Sequence, residues 1–167
     1  TTADAPGWAE VVAARSPFLV QDARSTAFEI ANDPPDARRA VAEEQGRVIA
    51  VARFRAYPGE DQVSVLVMVH PDHRRRGVGS ALMSWHQTHI DAAGRSTMRS
   101  IVEDDDASRA AARAWGFDLT RRLQMVALDP RRVAATEPPP ADATLVPLAD
   151  VEPAHAWAAL NAVVGDD

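Results

Sequence analysis

The sequence predicts a mixed α/β domain, in which a sheet with hairpin and parallel connections is flanked by helices. Three observations predict it. Val63, Val65, Val67 and Val69 alternate with Ser64, Leu66 and Met68, a strand largely apolar on both faces and so covered on both sides. Gln45-Gly46 joins Arg38–Glu44 to Arg47–Ala56, whose alternation around Val48, Ala50, Ala52 and Phe54 marks a β-hairpin. Gly77 to Ala93 carries Val78, Ala81, Leu82, Trp85 and Ala92 along one stripe, a helix directly after the valine strand. Hairpins mixed with strand–helix crossovers argue for an α/β or α+β sheet and against a barrel.

The remaining elements follow in order. A short helix is expected around Trp8 to Ala14. Ser16-Pro17 reads as the N-cap and first residue of a second helix, with Val20, Ala23, Ala27, Ile30 and Ala31 at helical spacing and Asp33-Pro34-Pro35 ending it. Gly94 suits the C′ position of the long helix. Thr97–Val102 reads as a strand. Asp104–Asp106 supply a cap and first-turn acids for a helix through Trp115, and Gly116 ends it. Phe117–Leu128 reads as a further strand, bent near Arg121-Arg122. The prolines from Pro130 to Asp142 read as a semi-rigid linker, followed by a strand at Ala143–Leu148 and a helix at Val151–Val164. The expected domains are therefore residues 1–130, a linker at 131–142 and a strand–helix segment at 143–167.

The chain has 167 residues, enough for one domain with a proper core. It has no cysteine, which excludes disulfides, thiolate metal sites and a cysteine nucleophile. The formal net charge is −6, and all 18 basic residues are arginine. That balance argues against general nucleic-acid binding. It either serves solubility or mildly favours a cationic substrate. No apolar run approaches membrane-spanning length and no signal segment opens the chain, so a cytoplasmic protein without membrane association is expected. His70/His73 and His86/His89 each have i, i+3 spacing, but no third ligand stands at a recognisable distance, so no metal is expected. Trp85 and Trp115 lie on apolar helix faces and are expected in the core.

One stretch carries chemistry: Val69-His70-Pro71-Asp72-His73-Arg74-Arg75-Arg76-Gly77-Val78-Gly79-Ser80. It joins the valine strand to the long helix. Glycines where the helix begins allow close backbone approach to a ligand. The helix start offers free N–H groups and the positive end of its dipole. The combination is a pyrophosphate cradle, with three arginines adding charge. A Walker loop needs a lysine that the chain lacks, and the dinucleotide fingerprint needs Gly where Leu82 stands.

Arg74-x-x-Gly77-x-Gly79 resembles the Gln/Arg-x-x-Gly-x-Gly/Ala signature of the GNAT superfamily of N-acyltransferases. The flanking Val-His-Pro and Ser-Ala-Leu-Met are similar to the family's usual surroundings. Gly116-Phe117 resembles its downstream Gly-Phe pair, and Ser108 stands where a small residue is usual. The resemblance covers roughly residues 17–130. It implies a sheet whose central strand splays from the next parallel strand, with the pantetheine arm of acetyl-CoA, or a related acyl-CoA, in the gap as co-substrate. It implies that the backbone of Val67, Met68 and Val69 meets that arm, with one N–H polarising the thioester carbonyl. Arg74, Arg75, Arg76, Gly77, Val78, Gly79 and Ser80 would hold the pyrophosphate.

The implied reaction is direct attack of an unidentified amine on the acyl thioester. Many family members protonate the departing thiolate with a tyrosine four residues before the Gly of Gly-Phe. Here that residue is Ala112, and Asp105 replaces a frequent asparagine. Another group or water would then serve. The alternative is a catalytically degenerate acyl-CoA-binding or structural module. Glu103, at the end of the strand bordering the splay, is the expected general base; otherwise it is part of an acidic helix cap. The family's opening strand and helix have little room in the first sixteen residues. Residues 143–167 repeat that strand–helix pattern, so they either begin a second module of a tandem protein or dock as an edge element in the same or a neighbouring chain, by homodimerisation or strand exchange.

Overall fold

The computed structural model describes residues 1–57, 59–124, 129, 131, 146 and 152. Thr1–Thr120 forms one compact unit and Arg121–Asp167 another. The expected linker and strand–helix segment at 143–167 fall almost wholly outside the described residues. The first unit runs α1 (Ala5–Arg15), α2 (Ala23–Ala31), β1 (Ala37–Glu44), β2 (Arg47–Ala56), β3 (Gln62–Val69), α3 (Val78–Ala92), β4 (Thr97–Arg99) and α4 (Asp106–Ala114). The strands pair in the order β1-β2-β3-β4, with β3 and β4 parallel and the other pairs antiparallel. The mixed sheet between helices is the expected architecture.

Local chemistry explains most of these elements. Gln45 and Gly46 both have positive φ, 53° and 76°, the requirement of a type I′ hairpin turn. Opposite Ala42/Glu43, β2 carries Ile49 as an extra residue, so Val48 and Val51 fall on the same face. Gly7 brings α1 close to β2: a Cβ on it would sit 2.6 Å from Val48 Cγ2. On that face Trp8, Val11 and Val12 pack against Val48 and Val51, with Val41, Leu66 and Met68 alongside. On the other face α3 buries Leu82 and Ile90 against Ala50, Ala52, Phe54, Val63 and Val65. Trp85 joins that layer, as expected.

Four expectations need correction. The second helix does not start at Pro17. Asp22 caps it, its carboxylate accepting the Ser25 N–H at 2.7 Å while Ser25 Oγ accepts the Asp22 N–H at 3.0 Å. That reciprocal cap outcompetes the proline signal, and Phe18, Leu19 and Val20 stay exposed in the α1–α2 loop. The first helix is longer than the expected Trp8 to Ala14, running Ala5–Arg15. The strand expected at Thr97–Val102 ends at Arg99. Residues 117–124 form no strand.

Candidate functional site

The short β4 opens the sheet. Its parallel pairing with β3 covers only Gln62↔Thr97, Val63↔Met98 and Ser64↔Arg99. Beyond Ser64, β3 keeps its partner β2 on one side, and no strand among the described residues covers the other. The His70 N–H donates to the Ile49 carbonyl at 2.9 Å. Antiparallel alternation then directs the backbone groups of Met68 and Leu66 toward Val51 and Arg53, and those of Val65, Val67 and Val69 away from β2. Val67 and Val69 thus present N–H and C=O groups to the open side. Met68 does not, which corrects its expected role: alternate, not successive, residues line a strand edge.

α3 begins beside that edge. Its N-cap, Gly77, has φ +82°, and Arg75 has φ +60°. The first in-helix bond runs from the Ala81 N–H to the Gly77 carbonyl at 3.0 Å. Among the described residues, the six consecutive N–H groups of Arg75 to Ser80 have no acceptor. Successive unpaired donors around a left-handed turn form an anion-binding concavity, reinforced by the dipole of a fifteen-residue helix. The two glycines act differently. Gly77 supplies the left-handed turn with open space around it. Gly79 faces inward: a Cβ there would lie 3.4 Å from Trp115 Cζ2 and 3.6 Å from Val69 Cγ2. Its missing side chain lets the helix start close onto Val69 and Trp115.

The three arginines also separate. Arg76 makes a two-pronged ion pair with Glu44 on β1, at 2.6 and 3.2 Å, and its Nη1 stands 3.1 Å from His73 Nδ1. The hydrogen bond from Arg76 holds the Glu44 carboxyl below the usual range. The Arg76 side chain therefore fastens the turn to the hairpin and is not the free anion partner expected of it. Arg74 Nε lies 3.5 Å from the Val69 carbonyl. Arg75 is exposed, and its side chain has no hydrogen-bond partner among the described residues.

Across the opening, Glu103 is not solitary. One carboxylate oxygen accepts from Arg15 Nη1 and the other from the Ser16 hydroxyl. Arg15 Nη2 also reaches Asp105 Oδ2 at 2.9 Å and Ser108 Oγ. Asp105 caps α4 by accepting the Ser108 N–H at 2.8 Å. Partial burial by itself raises the Asp105 pKa, but the bonds from Ser108 and Arg15 outweigh it and bring it to about 2. The end of α1 is thus tied to the start of α4 over a sequence separation of nearly ninety residues. The sequence offers Ser16 only as a helix cap and gives no sign of Arg15, because nothing local pairs either with Glu103. Ala112 carries no proton donor on α4, and Tyr57 lies beside Arg55, whose guanidinium is 5.5 Å from the ring centre.

His86 is the one fully buried ionisable side chain on α3. Its Nε2 stands 3.0 Å from the Leu66 carbonyl and its Nδ1 has no partner among the described residues. Burial lowers its pKa, opposed by the bond to Leu66 and aided by nearby His89, so it serves as a neutral strut behind β3. His89 Nδ1 turns to the Trp85 carbonyl.

A sheet opened between two parallel strands, beside a helix start with unpaired donors, is the layout of the N-acyltransferases. The acetyltransferase (GNAT) domain model matches residues 35–119, and the chain belongs to this family. Over 127 residues it is 34% identical to a mycothiol acetyltransferase of Frankia casuarinae, covering 73% of this chain and 36% of that protein. The chain thus spans about a third of the length of this curated relative. A putative acetyltransferase from Salmonella typhimurium, solved with acetyl-CoA, superposes with TM-score 0.60 at 25% identity, covering 77% of this chain and 82% of that one. The ribosomal-protein-S18-alanine N-acetyltransferase of Escherichia coli shares the fold at TM-score 0.59 and 20% identity, covering 72% and 76%.

Proposed function

We propose that this domain binds acetyl-CoA between β3 and β4 and transfers the acetyl group to an amine. The single observation carrying the proposal is the bare β3 edge from Val65 to Val69 leading into the unpaired donors of Arg75 to Ser80. The pantetheine arm would pair with Val67 and Val69 as an added strand would. The pyrophosphate would sit on the N–H groups of Arg75, Arg76, Gly77, Val78, Gly79 and Ser80, with the side chains of Arg74 and Arg75 adding charge. An outward N–H at Val67 would polarise the thioester carbonyl.

In this reading a neutral amine attacks the thioester carbon, forming the amide bond and expelling the CoA thiolate. The amine proton passes to Glu103 through the Ser16 hydroxyl or water. Water protonates the thiolate, since Ala112 offers nothing, and proximity supplies much of the rate. No metal takes part. The second reading, a domain that binds acyl-CoA and catalyses little, is favoured by one observation: both Glu103 oxygens are already occupied by Arg15 and Ser16. The Frankia relative's greater length fits the expectation that residues 143–167 begin a second module. No helix among the described residues is long and apolar enough to cross a membrane, in keeping with a cytoplasmic site of action.

Calorimetric titration with acetyl-CoA, with CoA as comparison, tests cofactor binding. Micromolar or tighter affinity supports the reading, and no binding by the folded chain removes it. Thiol release in the presence of amines then separates transfer from binding alone.

A further inference from the structure

The sheet face that carries α1 changes character along β2. Val48 and Val51 lie under α1, but the next two residues on that face are Arg53 and Arg55. The neighbouring strands extend the pattern. Arg53 sits between Arg39 and Leu66, and Arg55 between Ala37 and Ser64. Met98 packs with Val63 and Val65 on the α3 side, so Arg99, beside Ser64, falls on the α1 side. Four guanidinium groups therefore share one face, in two adjacent rows: Arg39–Arg53–Leu66 and Arg55–Ser64–Arg99.

Opposing charge is scarce there. Arg39 is paired with Asp33 at 2.6 Å and with Glu29 at 3.4 Å, and it lies 4.8 Å over the Trp8 ring. Among the described residues Arg53 has only Glu29, at 4.0 Å and shared with Arg39. Arg55 and Arg99 have no carboxylate partner among the described residues, and Arg55 Nε is buried without an acceptor. Among the described residues four positive charges thus face two negative ones. Burial and the neighbouring Arg39 make the charged form of Arg53 harder to keep, as expected of an arginine lacking a full counter-ion. In a chain of net charge −6, this is a local reversal of sign. It lies where the sheet opens, because the second row ends on Arg99, paired with Ser64 in the last β3–β4 pair, and the first ends on Leu66, just beyond that pair.

We propose that the acceptor amine carries an anionic group, a carboxylate or a phosphate, held by Arg53 and Arg55, with Arg99 at the rim. This rests on the acetyl-transfer reading above. Arginine matches both anions through its planar fork of donors. The arrangement also suits the reaction: nearby positive charge disfavours the ammonium form of the acceptor and keeps more of its nitrogen free to attack. The reaction itself is unchanged, with one C–N bond formed, one C–S bond broken and one proton passed from nitrogen.

The test uses the full chain with saturating acetyl-CoA, following CoA thiol release from matched acceptors. α-Amino acids are paired with their amides, and phosphoethanolamine with ethanolamine, so the two anion sources are separate arms. The expected result is a kcat/KM at least about tenfold higher for the anionic member of one pair, about 1.4 kcal/mol. Arg53→Met should bring that ratio toward one, mainly through KM, and Arg53→Lys should restore part of it. Arg55→Gln, which breaks no ion pair, gives an independent check should Arg53→Met lower the melting temperature. Neutral members accepted as well as anionic ones would overturn the proposal. So would a ratio that survives both variants, or no anionic acceptor turned over by a chain that binds acetyl-CoA. Failure to bind acetyl-CoA would instead remove the underlying reading.

Discussion

The two banks of the opening between β3 and β4 are built from different materials. On the β3–α3 bank the working groups are backbone: the edge of Val67 and Val69 and the N–H run of Arg75 to Ser80. On the opposite bank they are side chains: Glu103, Asp105 and Ser108, gathered by Arg15 and Ser16 from the end of α1. A backbone surface needs only the right turn and strand, so it tolerates many sequences around a few glycines. A side-chain cluster depends on each member. The first bank accordingly matches the family signature closely, and the second lacks the usual tyrosine and asparagine.

The largest expected effect attacks the backbone bank. Gly79→Trp has no room against Trp115 and Val69 and should raise the acetyl-CoA Kd by about a hundredfold, about 2.7 kcal/mol. Gly79→Ala meets only an ordinary contact and should bind nearly as the parent does, by the same calorimetry. Glu103→Gln breaks the other bank. Turnover should fall by about a hundredfold while acetyl-CoA affinity holds. Unchanged turnover would remove Glu103 from the mechanism and leave it as a clamp.

Asp105 separates cap from charge. Asp105→Ala should cost about 1–2 kcal/mol of stability through the lost cap, measured by urea unfolding, and Asp105→Asn distinctly less. Its folded pKa of about 2 lies below the ordinary 3.8. Its stabilisation is thus complete above pH 3.8 and lost as pH falls through 2. Allowing for solvent screening, this is about 1 kcal/mol. The smallest effect concerns His86. Burial places its folded pKa below the unfolded 6.5, so its contribution is intact above pH 6.5 and declines as pH falls below it. Melting temperatures at successive pH values should show that decline, and His86→Gln should flatten it.

Much of the first bank was legible because its signals are local. The hairpin follows from Gln45-Gly46, the covered strand from alternating valines, and the anion-ready turn from Gly77 between that strand and the long helix. The second bank was legible only as an acidic run. Glu103 drew notice by its position, but Arg15 lies 88 residues away and no local rule joins them. The start of α2 is not fixed locally for a related reason: Ser16-Pro17 and Asp22 both carry cap chemistry, and Asp22 takes the role. Ser16 is instead drawn to Glu103 by tertiary contact.

By itself the sequence determined the alternation, the turns and the left-handed glycine, because each depends on dihedral preference and on apolar spacing within a few residues. Tertiary structure alone decided where β4 stops, which valine backbones face the gap, and that Arg76 serves Glu44. It also decided that Arg53, Arg55 and Arg99 share a face. Those outcomes depend on strand register and on pairs far apart in the chain, and hydrogen-bond partners across a sheet are chosen only when the sheet assembles.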